Sequence, residues 1–417
     1  MSGARAEPPP SPRPTREDAT VAAENPEPRD PGVGLYLHVP FCERICPYCD
    51  FAVVAGVPGH REARTVAALE TEIAARADAF APARLATVYF GGGTPSLLRP
   101  ESVQALLAAA RRAFPGTPEE TTLEVNPGTT ERARLSAFRA AGIDRLSIGI
   151  QSFDDDALKR LGRAHRAAAG HTTLAAARQA GFRNLSLDLI FGVPGQTLAA
   201  VEADVARALD HGPEHVSAYA LTVEPGTPLA AAVARGRVRM PDDDAVADMM
   251  EAVAAALEAG GLRRYEVSSY ARPGREARHN RRYWLREPVL GVGVGAASYL
   301  PPPLAPPHGA RPANERDFAG WAARVAAGRA DRPPEPGRLT ASEARSEAVF
   351  LALRRREGLS AAGFAAEHGA PPRHWYRTAI CSLVAAGLLA ESGAGDLALT
   401  HRGWLLSDSV FEAFVGG

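Results

Sequence analysis

From residue 34 onward the chain repeats one pattern: an apolar run of five to seven residues, then a longer stretch whose apolar residues recur every three or four positions. The runs at 34–39, 85–90, 121–125, 145–150, 186–191 and 215–221 have strand length and are rich in Leu, Ile, Val, Phe and Tyr. The stretches at 61–80, 100–114, 130–141, 154–168 with 171–180, and 198–211 fit amphipathic helices, because side chains three and four apart share a helix face. Six βα units in succession predict an α/β fold with a parallel sheet covered by helices. A weaker run at 264–268, after a helix at 244–259, is a candidate seventh strand. Periodicity alone leaves open whether the sheet curls into a partial barrel or is doubly wound.

The pattern breaks at both ends. Residues 1–32 are rich in Pro, Ala, Glu and Arg and predict a disordered tail; Glu7, Glu17, Asp18 and Glu24 argue against a transit peptide. Residues 33–270 hold the βα units. Residues 271–335 form an irregular connecting segment with His279-Asn280-Arg281-Arg282-Tyr283-Trp284, the alternating run 291–295, and a surface insertion around Pro301-Pro302-Pro303. Residues 336–417 change to compact helices with a strand-like run at 397–400, which predicts a small separate domain.

Composition narrows the function. A formal net charge of −1 gives no global field for nucleic acid or anionic membrane. No apolar run approaches the roughly 18–20 residues that span a bilayer, and no apolar signal segment opens the chain. Three of the four cysteines are clustered, which suits a reducing compartment. The expectation is a cytoplasmic protein, with any membrane association peripheral.

Those three cysteines carry the chemistry. Cys42, Cys46 and Cys49 follow the first apolar run with the spacing C-x3-C-x2-C. Three thiolates from one loop can hold three corners of a cubane iron–sulfur cluster, leaving the fourth iron open to a small molecule. An odd, tightly spaced set argues against disulfides, and zinc would need a fourth ligand such as His38 or His60. Cys381, beside Leu383 and Val384, is expected to be a buried small hydrophobe.

In a parallel βα sheet, reactive groups collect at the C-terminal ends of the strands. The unusual polar residues fall there: the cysteine loop after the first run, Gly91-Gly92-Gly93-Thr94-Pro95 after the second, Glu124 and Asn126 at the third, Gln151 at the fourth, and Asp188 within the fifth. The glycines could admit a ligand's polar groups to bare N–H groups, or simply turn the chain into the next helix. Glu124, a carboxylate ending a buried strand, calls for a cationic partner. Gln151 could hydrogen-bond ribose hydroxyls, and Arg163 could pair with a carboxylate or be a solvated helix residue.

The cysteine loop, with Tyr48 before its third cysteine, resembles the radical S-adenosylmethionine superfamily. Within it, Tyr36-Leu37-His38-Val39-Pro40-Phe41-Cys42 and Pro47-Tyr48-Cys49-Asp50-Phe51 resemble the oxygen-independent coproporphyrinogen III oxidase group, and most closely its haem-chaperone branch, HemW. The resemblance runs from about residue 34 to the C-terminus and implies a partial (β/α)6 barrel with a winged-helix-like C-terminal domain of the HemN type. It implies a [4Fe-4S] cluster on Cys42, Cys46 and Cys49. It also implies S-adenosylmethionine contacts at Tyr36, Tyr48, Gly92, Gly93, Thr94, Glu124, Gln151, Arg163 and Asp188, with His38 structural. In the oxidases a 5′-deoxyadenosyl radical takes hydrogen from a propionate, which then loses carbon dioxide.

Two residues point to the branch. The oxidases carry a further cysteine where this chain has Phe51, and residues 279–284 match the HNxxYW pattern of the chaperone group. His279 is therefore a candidate haem ligand, with Arg281 and Arg282 as partners for haem propionates. The expected partners are haem, haem-accepting membrane or respiratory proteins, and an electron donor for the cluster. The alternative is the anaerobic coproporphyrinogen III dehydrogenase; a radical RNA-modifying enzyme is disfavoured by the near-neutral charge.

Overall fold

Side-chain alternation along six parallel strands decides this architecture. The computed structural model describes residues 31–334 and 336–415, so the tail expected at 1–32 lies outside the described residues as far as 30. The βα units run β1 (Val33–Val39), α1 (Glu62–Arg76), β2 (Leu85–Gly92), α2 (Pro100–Ala113), β3 (Glu120–Val125), α3 (Thr129–Ala141), β4 (Arg145–Gln151), α4 (Asp155–Arg160), α5 (Ala167–Gln179), β5 (Leu185–Phe191), α6 (Leu198–Asp210) and β6 (His215–Ala220). Each strand is parallel to the next, with registers such as Tyr36 opposite Tyr89 and Asp188 opposite Ser217. Helices cover one face: α2 starts on Pro100, whose missing N–H costs nothing at a helix start, and buries Val103, Leu106, Leu107 and Ala110.

The two faces of the sheet differ in chemistry. Leu146, Ile148 and Ile150 of β4, Leu187 and Leu189 of β5, and Val216 and Ala218 of β6 point into the helical layer and join the main apolar core. The alternate positions are Arg145, Ser147, Gly149 and Gln151, then Asp188 and Ile190, then Ser217 and Tyr219, and these line a cavity on the other face. Closed βα barrels fill that space with branched apolar side chains. Here the concave face is polar and open, as a sheet that cups a polar ligand requires.

Past β6 come α7 (Pro228–Ala234), α8 (Asp243–Ala259), β7 (Arg263–Glu266), β8 (Ser269–Ala271), α9 (Arg278–Trp284), β9 (Val289–Val292) and α10 (Phe318–Ala326). The sheet order is β9-β1-β2-β3-β4-β5-β6-β8-β7, open at both ends. The candidate seventh strand is present but not parallel to the six: the run at 264–268 contributes the edge strand β7, paired antiparallel to β8, itself antiparallel to β6. The alternating run at 291–295 overlaps a strand the periodicity missed. β9 pairs parallel with β1, and Gly291 lets the Ala297 carbonyl approach the strand where a Cβ would clash.

The C-terminal part comprises α11 (Ala341–Leu353), α12 (Ala361–His368), α13 (Pro372–Ala385), the hairpin strands β10 (Leu389–Glu391) and β11 (Leu397–Leu399), α14 (His401–Leu405) and α15 (Ser407–Glu412). Val349, Leu353, Phe364, Ile380, Leu389, Leu397, Val410 and Phe414 form its own apolar core. It also covers the sheet's far edge: Arg356 N–H donates to the Tyr265 carbonyl at 3.0 Å and Val267 N–H to the Arg354 carbonyl at 3.2 Å. Among the described residues no helix is long and apolar enough to cross a membrane.

Candidate functional site

The cysteine loop leaves the end of β1. Phe41 and Cys42 pair in parallel with Val54 and Ala55, closing the loop into a hoop, and Cys49 N–H donates to the Cys46 carbonyl at 3.1 Å. All three cysteines are free and partly exposed, and they line one cavity of about 540 Å³. Burial pushes the Cys42 thiol up to about 11 and raises Cys49. Bare thiolates are therefore disfavoured, and an iron or other soft metal would supply the missing positive charge.

The surrounding donors suit sulfur. Thr94 Oγ1 donates to Cys42 Sγ, and an Arg163 guanidinium nitrogen to Cys46 Sγ, each at 3.7 Å. Among the described residues no three His, Cys, Asp or Glu side chains stand at the spacing of a single metal ion. The donor set, three free thiols on one loop with Thr94 and Arg163 donating to two of the sulfurs, fits a four-iron cluster.

Gly92, Gly93, Thr94, Glu124, Gln151, Arg163, Asp188 and Tyr48 line the same cavity. Gly92 needs to be glycine: its φ is +107°, and a Cβ would meet the His38 ring at 2.6 Å. Its N–H donates to Glu124 Oε2 at 3.2 Å, while Tyr89 Oη donates to Oε1 at 2.8 Å. Burial nevertheless lifts the Glu124 carboxyl to about 7, with Asp188 adding repulsion. Gln151 holds a φ of +64°, where the β4–β5 register also slips. A non-glycine residue strained in this way costs of order 1–3 kcal/mol and marks a position fixed for something other than stability.

Arg163 is not a solvated helix residue. Its guanidinium donates to Asn126 Oδ1, to the Gly149 carbonyl at 3.2 Å and to Cys46, so it already stands at the cluster loop. Asp188 accepts from Ser147 Oγ at 3.1 Å, and burial raises its pKa. Tyr36 stands behind this wall. Its hydroxyl is 3.2 Å from His38 Nδ1 and its ring stacks on Tyr89, so it packs the layer beneath the glycines. His38 Nε2 lies 2.9 Å from the Ala52 carbonyl and holds the cysteine hoop, the structural part expected of it.

Sequence reasoning overlooked Tyr89, Arg145, Ser147, Ser217 and Asn280, all of which line the cavity. Parity along the strands would have found most of them, because Arg145 and Ser147 share the face of Gln151, and Ser217 lies opposite Asp188.

Residues 278–284 form the short helix α9, and its motif splits. His279 is fully buried with both ring nitrogens engaged, Nδ1 with Thr87 Oγ1 at 2.8 Å and Nε2 with Tyr283 Oη at 3.0 Å. Burial drops its pKa to about 3. Neither nitrogen is open to iron in this conformation. Arg282 is buried too, donating to the Pro31 and Gly32 carbonyls and pairing with Glu287 at 3.0 Å, so it anchors the start of β1. Cys381 corrects another expectation: it is exposed, with an Arg373 guanidinium nitrogen at 3.5 Å.

Comparison with known proteins agrees with this geometry. The chain matches the Radical SAM superfamily over residues 36–208 and the HemN C-terminal domain over 339–406. It is 34% identical to Heme chaperone HemW of Bacillus subtilis over 91% of this chain and 98% of that protein. It is 38% identical to Heme chaperone HemW of Mycobacterium tuberculosis over 92% of this chain and 95% of that one. Coproporphyrinogen III oxidase (HemN) from Escherichia coli, a radical SAM enzyme of solved structure, shares the fold with a TM-score of 0.77 at 22% identity, covering 93% and 92% of the two chains. With relatives this similar along nearly their whole length, the chain belongs to the HemW family of the radical SAM superfamily.

Proposed function

We propose that this chain is a haem chaperone that carries a [4Fe-4S] cluster on Cys42, Cys46 and Cys49, binds S-adenosylmethionine in the polar cavity, and hands haem to acceptor proteins. The observation that carries the reading is the mouth of the cavity. Phe51, Ile45 and Tyr219 line it while 70%, 43% and 42% exposed, an aromatic and apolar surface set among the exposed charges of Arg44 and Asp50. A flat, largely apolar macrocycle with charged edges suits that combination. The names of the relatives support it, and so does Phe51, which replaces the oxidases' further cysteine with a bare aromatic face.

Inside, each residue has a definable task. A bound, reduced cluster would supply one electron to the sulfonium of S-adenosylmethionine. Glu124 would neutralise the ligand's amino group, and the Gly92–Gly93 backbone lets that group approach. Arg163 would turn its fork from Asn126 to the carboxylate. Gln151 and Asp188 would accept from or donate to the nucleoside, and Thr94 steadies the Cys42 sulfur. The haem-accepting partners, membrane or respiratory proteins, and the cluster's electron donor belong to the same proposal, without nucleic acid.

The test is anaerobic turnover of reconstituted protein with a strong reductant, S-adenosylmethionine and coproporphyrinogen III. The proposal expects intact coproporphyrinogen. Protoporphyrinogen formed over many turnovers would make the chain an oxidase.

A further inference from the structure

Arg145, at the deep end of the cavity, is a buried arginine with two unmet hydrogen-bond donors. It opens β4 and points into the cup, yet it is only 1% exposed. Its Nε and Nη1 have no hydrogen-bond partner. The nearest carboxylate, Glu120, stands 4.0 Å from Nε and is already committed elsewhere, accepting the backbone N–H groups of Arg278 at 3.2 Å and His279 at 3.0 Å. Asp188 takes hydrogen bonds from Ser147, so it and Glu124 feel the charge of Arg145 without filling its donors. A buried guanidinium with empty donors is costly, and such a cost persists where a ligand removes it.

The second observation is Asn280. It is the one residue of the motif at 279–284 that lines the cavity, while its neighbours His279 and Arg282 are tied into the protein. α9 thus brings an uncharged donor-acceptor amide to the same chamber as the buried guanidinium. Arg163, the other cavity arginine with a clear role, sits at the cysteine end against Cys46.

We infer that Arg145, assisted by Asn280, is a carboxylate-binding site at the floor of the barrel. It holds the acid end of a ligand whose body extends toward the cluster. Two ligands of the proposed function bear such a group: haem through its propionates, and S-adenosylmethionine through its methionyl end, in which case Arg145 takes the carboxylate in place of Arg163. The inference rests on that function only for the identity of the ligand, since the unpartnered Nε and Nη1 are a property of the chain.

The experiment titrates reconstituted wild type, Arg145→Gln and Asn280→Asp with four probes: haem, haem dimethyl ester, S-adenosylmethionine and its decarboxylated analogue. Asn280→Asp places a negative charge at a cavity-lining, partly exposed position and guards against Arg145→Gln simply failing to fold; cluster absorbance and thermal melting check both variants. The expected result is a loss of about 10- to 100-fold for one carboxylate-bearing probe in both variants, with its ester or decarboxylated partner bound equally by all three proteins. The probe that responds identifies the ligand. Failure of wild type to bind haem at all would sink the chaperone reading and leave the S-adenosylmethionine arm to decide Arg145. Binding of both acids within about twofold of wild type in folded variants would overturn the inference and leave Arg145 a structural plug.

Discussion

Glu124 is a carboxylate that the empty protein would rather keep protonated. Tyr89, the Gly92 N–H and Arg145 favour its charge, but desolvation and Asp188 outweigh them and set its pKa at about 7. An unfolded glutamate titrates near ~4.3, so the folded state holds the extra proton between the two values. Folding stability attributable to this residue therefore falls as pH rises from about 4.5 to 7 and is flat above. Glu124→Gln should flatten that part of a melting-temperature profile against pH. Binding runs the other way: a cationic amino group is held by the ionised form, so S-adenosylmethionine affinity should rise with pH through about 7 in wild type and not in Glu124→Gln. Calorimetric titrations that tighten equally in both proteins would remove Glu124 from the site. The cysteines offer a simpler check, since a serine at Cys42, Cys46 or Cys49 should abolish the brown absorbance of the reconstituted cluster, and a retained spectrum would strike that residue from the ligand set. At this scale the sequence was legible where a residue type is rare and its spacing rigid, as in the cysteine loop. It was less so for Arg145 and Cys381, whose surroundings are assembled from distant strands and helices.

Among the elements, α1 is tied down through one buried acid. Glu72 accepts from Gly293 N–H at 2.8 Å, Asn314 Nδ2 at 2.7 Å and Trp321 Nε1 at 2.9 Å, and pairs with Arg76 and Arg324 at 3.3 Å each. It joins the first helix to the end of β9 and to α10, segments more than 200 residues away. Removing one partner of such a network leaves the others buried and uncompensated. Glu72→Ala should cost about 3–5 kcal/mol in denaturant unfolding; a loss under about 1 kcal/mol would mean the network relaxes freely. The strand and helix periods made the six βα units readable, because each strand has one apolar face. β9 was not, since its four residues, Val289–Val292, are too short a run to read as a strand and its place depends on contact with β1. The short helix α9 was hidden for a similar reason: its residues are chosen to fill the barrel's base rather than to cover a helix face.

For the molecule as a whole, the polar concave face and the exposed apolar rim together make a vessel open at the cluster end. On the proposed function haem sits at that rim with its acid edge directed inward, while His279 supports the floor between Thr87 and Tyr283. His279→Ala should lower the melting temperature and leave the Soret position of bound haem unchanged; a displaced Soret band would assign the iron to His279. Phe51→Asp should weaken haem binding by about tenfold or more through loss of apolar contact and repulsion of propionates, while sparing the cluster. The most direct measurement of the central claim is a haem titration of the cluster-loaded protein followed at the Soret band. The account predicts saturation at one haem per chain that depends on Phe51 and withstands His279→Ala. Unsaturable or absent binding in protein with an intact cluster would contradict it.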